Sequence, residues 1–104
     1  MSLRLIDSLS YEELEKICEI AERAARKYIT SKVPEEYISD LSISVDLEGS
    51  DTLNVDIEVE LTLSPLCRNV DADALAKESV RVAFEAIEKY LEEVRSKQLQ
   101  TLKE

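Results

Sequence analysis

Two stretches of the chain alternate apolar and polar residues with a period of two. In the first, Leu41, Ile43, Val45 and Leu47 alternate with Ser42, Ser44, Asp46 and Glu48; in the second, Leu53, Val55, Ile57, Val59, Leu61 and Leu63 alternate with Asn54, Asp56, Glu58, Glu60 and Thr62. Successive side chains of a strand point to opposite faces, so each stretch predicts a strand with one buried and one wet face. Between them lies Glu48-Gly49-Ser50-Asp51-Thr52, which holds the only glycine of the chain. The pair therefore predicts an antiparallel hairpin. Both strands carry their apolar residues at odd numbers, and opposed residues must face the same way, so a two-residue turn, which matches odd with even, is disfavoured. A three-residue loop at Gly49 to Asp51, or a similar odd-length one, keeps the faces matched. The three-residue loop would set Ser44 opposite Asp56, Ser42 opposite Glu58 and Asp46 opposite Asn54, placing hydrogen-bond donors rather than like charges across from carboxylates.

Outside the hairpin the period changes to that of a helix. Ser10-Tyr11-Glu12-Glu13 reads as a capping box, with Leu9 and Leu14 as the staple across it. Leu14, Ile17, Cys18, Ala21, Ala25 and Tyr28 then recur at helical spacing until Pro34 forces a stop at about Ser31 to Lys32. After Ser64-Pro65, Asp71 is a suitable N-cap, and Leu75, Val80, Ala83, Phe84, Ile87, Leu91 and Val94 make the apolar stripe of a last helix. Glu85 with Lys89 and Glu93 with Lys97 are spaced for i,i+4 pairing. Residues 95–104 keep only Leu99 and Leu102, which reads as a frayed helical tail.

The order helix, strand, strand, helix predicts a single α+β domain over residues 1–104, an antiparallel β-hairpin with both helices on its apolar face. Leu3, Leu5 and Ile6 either add a short N-terminal strand or lid the core. A two-stranded ribbon is only about 10 Å wide, too narrow to cover two helices, and both its strands would be edges. A homodimer that pairs those edges answers the shortage; a third strand from the N-terminus is the competing answer.

Composition narrows the chemistry. One glycine and two prolines leave no material for a glycine-rich phosphate loop. There is no histidine, and Cys18 and Cys67 lie far apart in the chain, so neither a zinc site nor a Cys-His nucleophile has its parts. No cofactor is expected. No apolar run reaches the ~20 residues of a membrane span, and the N-terminus lacks a signal-peptide core, which together predict a cytoplasmic protein. The net charge of −10 is concentrated: residues 33–67 hold nine acids, Glu35, Glu36, Asp40, Asp46, Glu48, Asp51, Asp56, Glu58 and Glu60, and no base. Such a surface repels phosphate backbones and excludes direct nucleic-acid binding.

Several short motifs together resemble a family of small archaeal proteins of unknown function: Leu-x-x-Glu-Glu-Leu at Leu9 to Leu14, the helix ICEIAERAARKYI, the strands LSISVDL and LNVDIEVEL, and Val-Asp-x-x-x-Leu at Val70 to Leu75. The resemblance implies an archaeal, cytoplasmic source, an α+β fold and no catalytic residues to carry over. The resemblance also implies a gene placed near that of a prefoldin subunit, and through that association a link with proteostasis or translation.

The candidate site is the polar face of the hairpin: Asp46, Glu48, Asp56, Glu58 and Glu60. The bland reading is a solvated face that keeps the protein dispersed. The functional reading is a non-enzymatic interaction module that receives a basic protein partner. The alternative is divalent cation binding by the same acids, although same-face neighbours on one strand sit ~7 Å apart and need help from the other strand. Catalysis is the weakest reading, because paired carboxylates need a cleft to separate their roles. Tyr28, Tyr37, Phe84 and Tyr90 are read as packing residues rather than an aromatic platform.

Overall fold

A computed structural model describes the backbone of residues 2–4, 10–49 and 52–102. Its elements are β1 (Ser2–Arg4), α1 (Tyr11–Lys32), a 3-10 turn (Glu35–Tyr37), β2 (Ile38–Glu48), β3 (Thr52–Leu63) and α2 (Ala72–Leu102). The predicted α+β arrangement is present, with both helices packed on the apolar face of the antiparallel hairpin.

α1 starts where its capping box requires. The Ser10 hydroxyl accepts from the Glu13 N–H at 3.1 Å, and the Glu13 carboxylate accepts from the Ser10 N–H at 2.9 Å. Leu9 of the predicted staple lies outside the described residues. At the other end Val33 caps the helix in an extended conformation, as the residue before a proline should. Ile17, Ala21, Ala25 and Ile29, four apart, are the buried stripe of α1. The Asp71 carboxylate accepts from the Ala74 N–H at 3.2 Å to open α2. Before it, Asn69 takes a left-handed φ of 64°, a conformation its side chain tolerates better than most. α2 then continues as helix through Leu102, including the segment read as a tail. No proline or glycine interrupts it. At 31 residues it is about 46 Å long, which explains overall dimensions of 58 × 25 × 19 Å.

The two helices run antiparallel. Glu13 near the start of α1 acts on Tyr90 late in α2, while Tyr28 near the end of α1 acts on Arg81 early in α2. Ala21, Ala25, Ser79 and Ala83 are all fully buried, so small side chains from both helices fill the centre of the fold. The Ser79 hydroxyl satisfies itself by donating to the Ala76 carbonyl at 2.7 Å. Leu53, Val55, Ile57, Ile17 and Ile87 complete the core.

The sheet decides one alternative and corrects one expectation. Among the described residues it has three strands in the order β1-β3-β2, because β1 pairs antiparallel with the start of β3, Leu3 opposite Leu53. The N-terminus therefore contributes a strand; Leu5 and Ile6 lie outside the described residues. β3 is not an edge where β1 covers it, and part of the width argument for a homodimer is met within the chain. The correction concerns register. Parity holds, but the pairing is slipped by two residues from the three-residue loop: Ser42 opposes Glu60, Ser44 opposes Glu58, Asp46 opposes Asp56 and Glu48 opposes Asn54. The longer connection, residues 49–53, frees Leu53 and Thr52 to pair with β1. Gly49 opens it with φ 122°, a region that costs a side chain dearly.

Candidate functional site

The slip changes the acidic face itself. Asp46, Glu48, Asp56, Glu58 and Glu60 are all exposed on the side of the sheet away from the helices, as their even numbers predict. They do not all meet donors. Ser42 and Ser44 lie across from Glu60 and Glu58, but Asp46 now faces Asp56, with Cβ atoms of opposed residues about 5 Å apart. Asp40, left out of the sequence-predicted set, extends the same face opposite Thr62, the last pair in regular register before the irregularity between Ile38 and Asp40. Its even number was the signal that could have placed it there. Asp46, Glu48, Asn54 and Asp56 line one open depression together with Leu47 and Val55.

The face carries charge without enclosing it. No element covers these side chains among the described residues, and water reaches each carboxylate. Acid and base roles need an enclosure that pushes two carboxyl groups apart in affinity for the proton, and an open strand face supplies none. Among the described residues no group of three or more acids or cysteines converges on a geometry that could hold a metal ion.

One unexpected neighbour stands at the margin. Cys18 of α1 is half-buried, and its thiol is pushed above the usual value of 9.0 first by burial, then by the carboxylates of Asp46 and Glu15. Asp46 thus acts through the edge of the sheet on the helix layer. Sequence spacing could not have joined residues from α1 and β2. Cys18 and Cys67 are both free thiols.

The helices present a different surface. Arg26 binds Glu22 through Nε at 3.2 Å and Nη2 at 2.9 Å, and Arg81 binds both Glu78 and Glu85. Glu85 is thus taken by Arg81 on the preceding turn rather than used toward Lys89. The hydrogen bond from Arg81 holds the Glu78 carboxyl below its usual range. Phe84 and Tyr90 pack against the core, in line with the packing reading; Tyr90's phenol is raised by burial and then by Glu13 and Glu93. Lys32 Nζ sits 5.6 Å from the centre of the Tyr28 ring. No helix among the described residues is long and apolar enough to cross a membrane.

Residues 6–90 match the model of the family described as "Protein of unknown function (DUF3194)". The chain belongs to this family. Among its relatives, an uncharacterized protein of Methanothermobacter thermautotrophicus is 33% identical over 93 residues, covering 88% of this chain and 96% of the relative. Another from Pyrococcus furiosus is 30% identical over 89 residues, covering 86% of this chain and 79% of the relative. Two solved structures share the fold: a crystal structure from Thermococcus onnurineus NA1, with TM-score 0.76, 28% identity and coverage of 92% of this chain and 91% of that one, and the solution structure of a hypothetical protein from M. thermautotrophicus, with TM-score 0.69, 30% identity and coverage of 86% and 97%. The DUF3194 match spans both helices and the hairpin up to Tyr90, so the acidic face lies within it. The relatives are archaeal, as the resemblance implied.

Proposed function

We propose that this DUF3194 protein is a non-enzymatic interaction module whose open sheet face receives a basic segment of another protein. One observation carries the reading: the face holds Asp40, Asp46, Glu48, Asp56, Glu58 and Glu60, whereas residues 33–67 offer no base to neutralise them. An exposed field of one sign speeds encounter with a partner of the opposite sign and rejects like-charged surfaces, nucleic acid included. An accessory role in proteostasis or translation is the context that the family resemblance supplies for such a module. The test is capture on the immobilised protein beside a Asp56→Asn, Glu58→Gln, Glu60→Gln triple variant. Partners retained by the wild type alone, basic in composition and released by moderate salt support the reading; equal retention by both proteins removes it.

Divalent cation binding keeps one specific support, the direct opposition of Asp46 and Asp56, which puts two carboxylates within reach of one ion. The lack of a third converging ligand among the described residues weighs against it. Calorimetry with Mg²⁺ and Ca²⁺ decides, and absence of heat at millimolar ion closes the alternative.

A further inference from the structure

β1 covers part of one edge of the sheet, and nothing among the described residues covers the other. β1 covers the start of β3, but among the described residues no strand or loop bonds to the outer edge of β2, which runs for 11 residues. Every second residue of that edge directs its N–H and C=O away from β3, and no backbone partner meets them among the described residues. Natural edges of this length are blunted by charged side chains, lysine above all, by proline or by a bulge. β2 has no lysine or proline; it carries the irregularity between Ile38 and Asp40 and the carboxylates of Asp40, Asp46 and Glu48, which repel acidic strands and attract basic ones.

The apolar row of β2 is unfinished as well. Leu41, Ile43, Val45 and Leu47 of β2 are each only half-buried; Val45 and Leu47 stand beside the buried Ile57 and Val55 of β3, whereas Ile43 and Leu41 stand beside Val59 and Leu61, which are half-buried too. A further strand beside β2 would cover that row on one face and stand beside the carboxylates on the other. We infer that the outer edge of β2 takes up an extended basic segment of a partner protein as a fourth strand, with apolar residues toward the helix layer and alternate Lys or Arg toward the acidic face. The inference rests on the proposed function and specifies how the partner is held.

Charge selects this occupant over a second copy of the chain. Self-pairing of β2 centred on Ile43 sets Asp40 opposite Asp46 of the second copy, and centred on Ser44 it sets Asp40 opposite Glu48; pairings centred on Ser42 or Val45 avoid direct opposition but still join two acidic faces side by side. Each copy also brings a net charge of −10. Opposed like charges disfavour a pairing, whereas opposed unlike charges favour it. A segment that alternates Lys with Val or Ile meets the carboxylate face with the opposite sign and the half-buried row with matching side chains.

The test uses the intact protein and a blocked peptide of about eight residues alternating Lys with Val or Ile, the length that spans most of one strand. Two controls carry the same charge: a scrambled sequence, and the alternating peptide N-methylated on one edge so that it cannot bond to β2 on that side. Titration is followed by calorimetry and by amide exchange. The expected result is binding of the alternating peptide, slowed exchange confined to β2, and at least about tenfold weaker binding of both controls, as loss of main-chain hydrogen bonds requires. Equal affinity for all three peptides with no protection of β2 overturns strand addition while leaving the acidic face as a binding surface. Failure of every cationic peptide to bind removes the proposed function too. Protection of β2 in the free protein, together with a dimer by light scattering, assigns the edge to a second copy and overturns the inference.

Discussion

The two faces of β2 and β3 are built from the same strands and obey different rules. Toward the helices, Leu53, Val55 and Ile57 pack with Ile17, Ala21, Ala83 and Ile87 in a closed core, where each atom lost leaves a void. Away from the helices, carboxylates stand in water, and their placement is loose enough to leave Asp46 directly across from Asp56. The difference shows which face sets the register. Moving β2 by two residues along β3 changes the partners of Val45 and Leu47 as well as those of Asp46, and apolar burial is worth more than relief of one solvated charge pair, which costs only ~0.2–1 kcal/mol. The outer face therefore accepts what the inner face dictates.

Substitutions should separate the faces sharply. Ile87→Ala removes most of a fully buried side chain and should cost about 2–5 kcal/mol of unfolding free energy, read from the urea midpoint. Glu58→Ala on the outer face should stay within about 0.5 kcal/mol of the parent. Comparable losses from both would mean that the acidic face is a packed surface. Gly49→Ala tests the connection between the strands. Its φ of 122° belongs to a region that only glycine enters freely, so the alanine variant should lose roughly 1–3 kcal/mol. A neutral result would show that the connection readily adopts another shape.

These contrasts explain what could be read from the chain beforehand. The faces were legible, because period two assigns Leu41 to Leu47 and Leu53 to Leu63 to one side whatever their partners. The helix starts at Ser10 and Asp71 were legible from local capping chemistry. The register was not, because parity permits slips of two and the decision belongs to packing between distant residues. β1 was half-legible: three residues are too few to show alternation, and only its pairing with Leu53 distinguishes a strand from a lid. The length of α2 was hidden because its stripe thins after Val94, although no helix breaker follows. At the candidate site the five carboxylates were found by parity alone; the opposition of Asp46 to Asp56 and the approach of Cys18 to Asp46 needed the fold.

The opposed aspartates supply a smaller effect of opposite sign. Asp46→Asn or Asp56→Asn removes a like-charge contact and leaves a group that can donate to the remaining carboxylate. Either variant should gain about 0.2–1 kcal/mol at low salt, and the gain should shrink as salt screens the pair. In a double-mutant cycle the second substitution should add little once the first is made. Additive gains would mean that the two carboxylates do not sense one another, and the register of the outer face would then need revision.

The smallest effect tests the one place where the two faces communicate. Burial, then Asp46 and Glu15, hold the Cys18 thiol protonated in the folded state above its ordinary value of 9.0. The folded chain therefore binds this proton more tightly than the unfolded chain does. The stability so contributed is complete below about pH 9 and is lost as pH rises through the raised folded value. Tyr90, also raised, adds a loss of the same sign at higher pH, beginning from its ordinary 10.0. Urea midpoints measured at rising pH should fall less steeply for Cys18→Ala than for the parent over the first part of that range, with the Tyr90 contribution left in both. Asp46→Asn should give an intermediate slope and faster alkylation of Cys18 near pH 8, because one of the charges opposing the thiolate is gone while burial and Glu15 remain. Identical slopes and alkylation rates in parent and Asp46→Asn would place Cys18 out of reach of the acidic face, and the sheet edge would then insulate the helix layer from it.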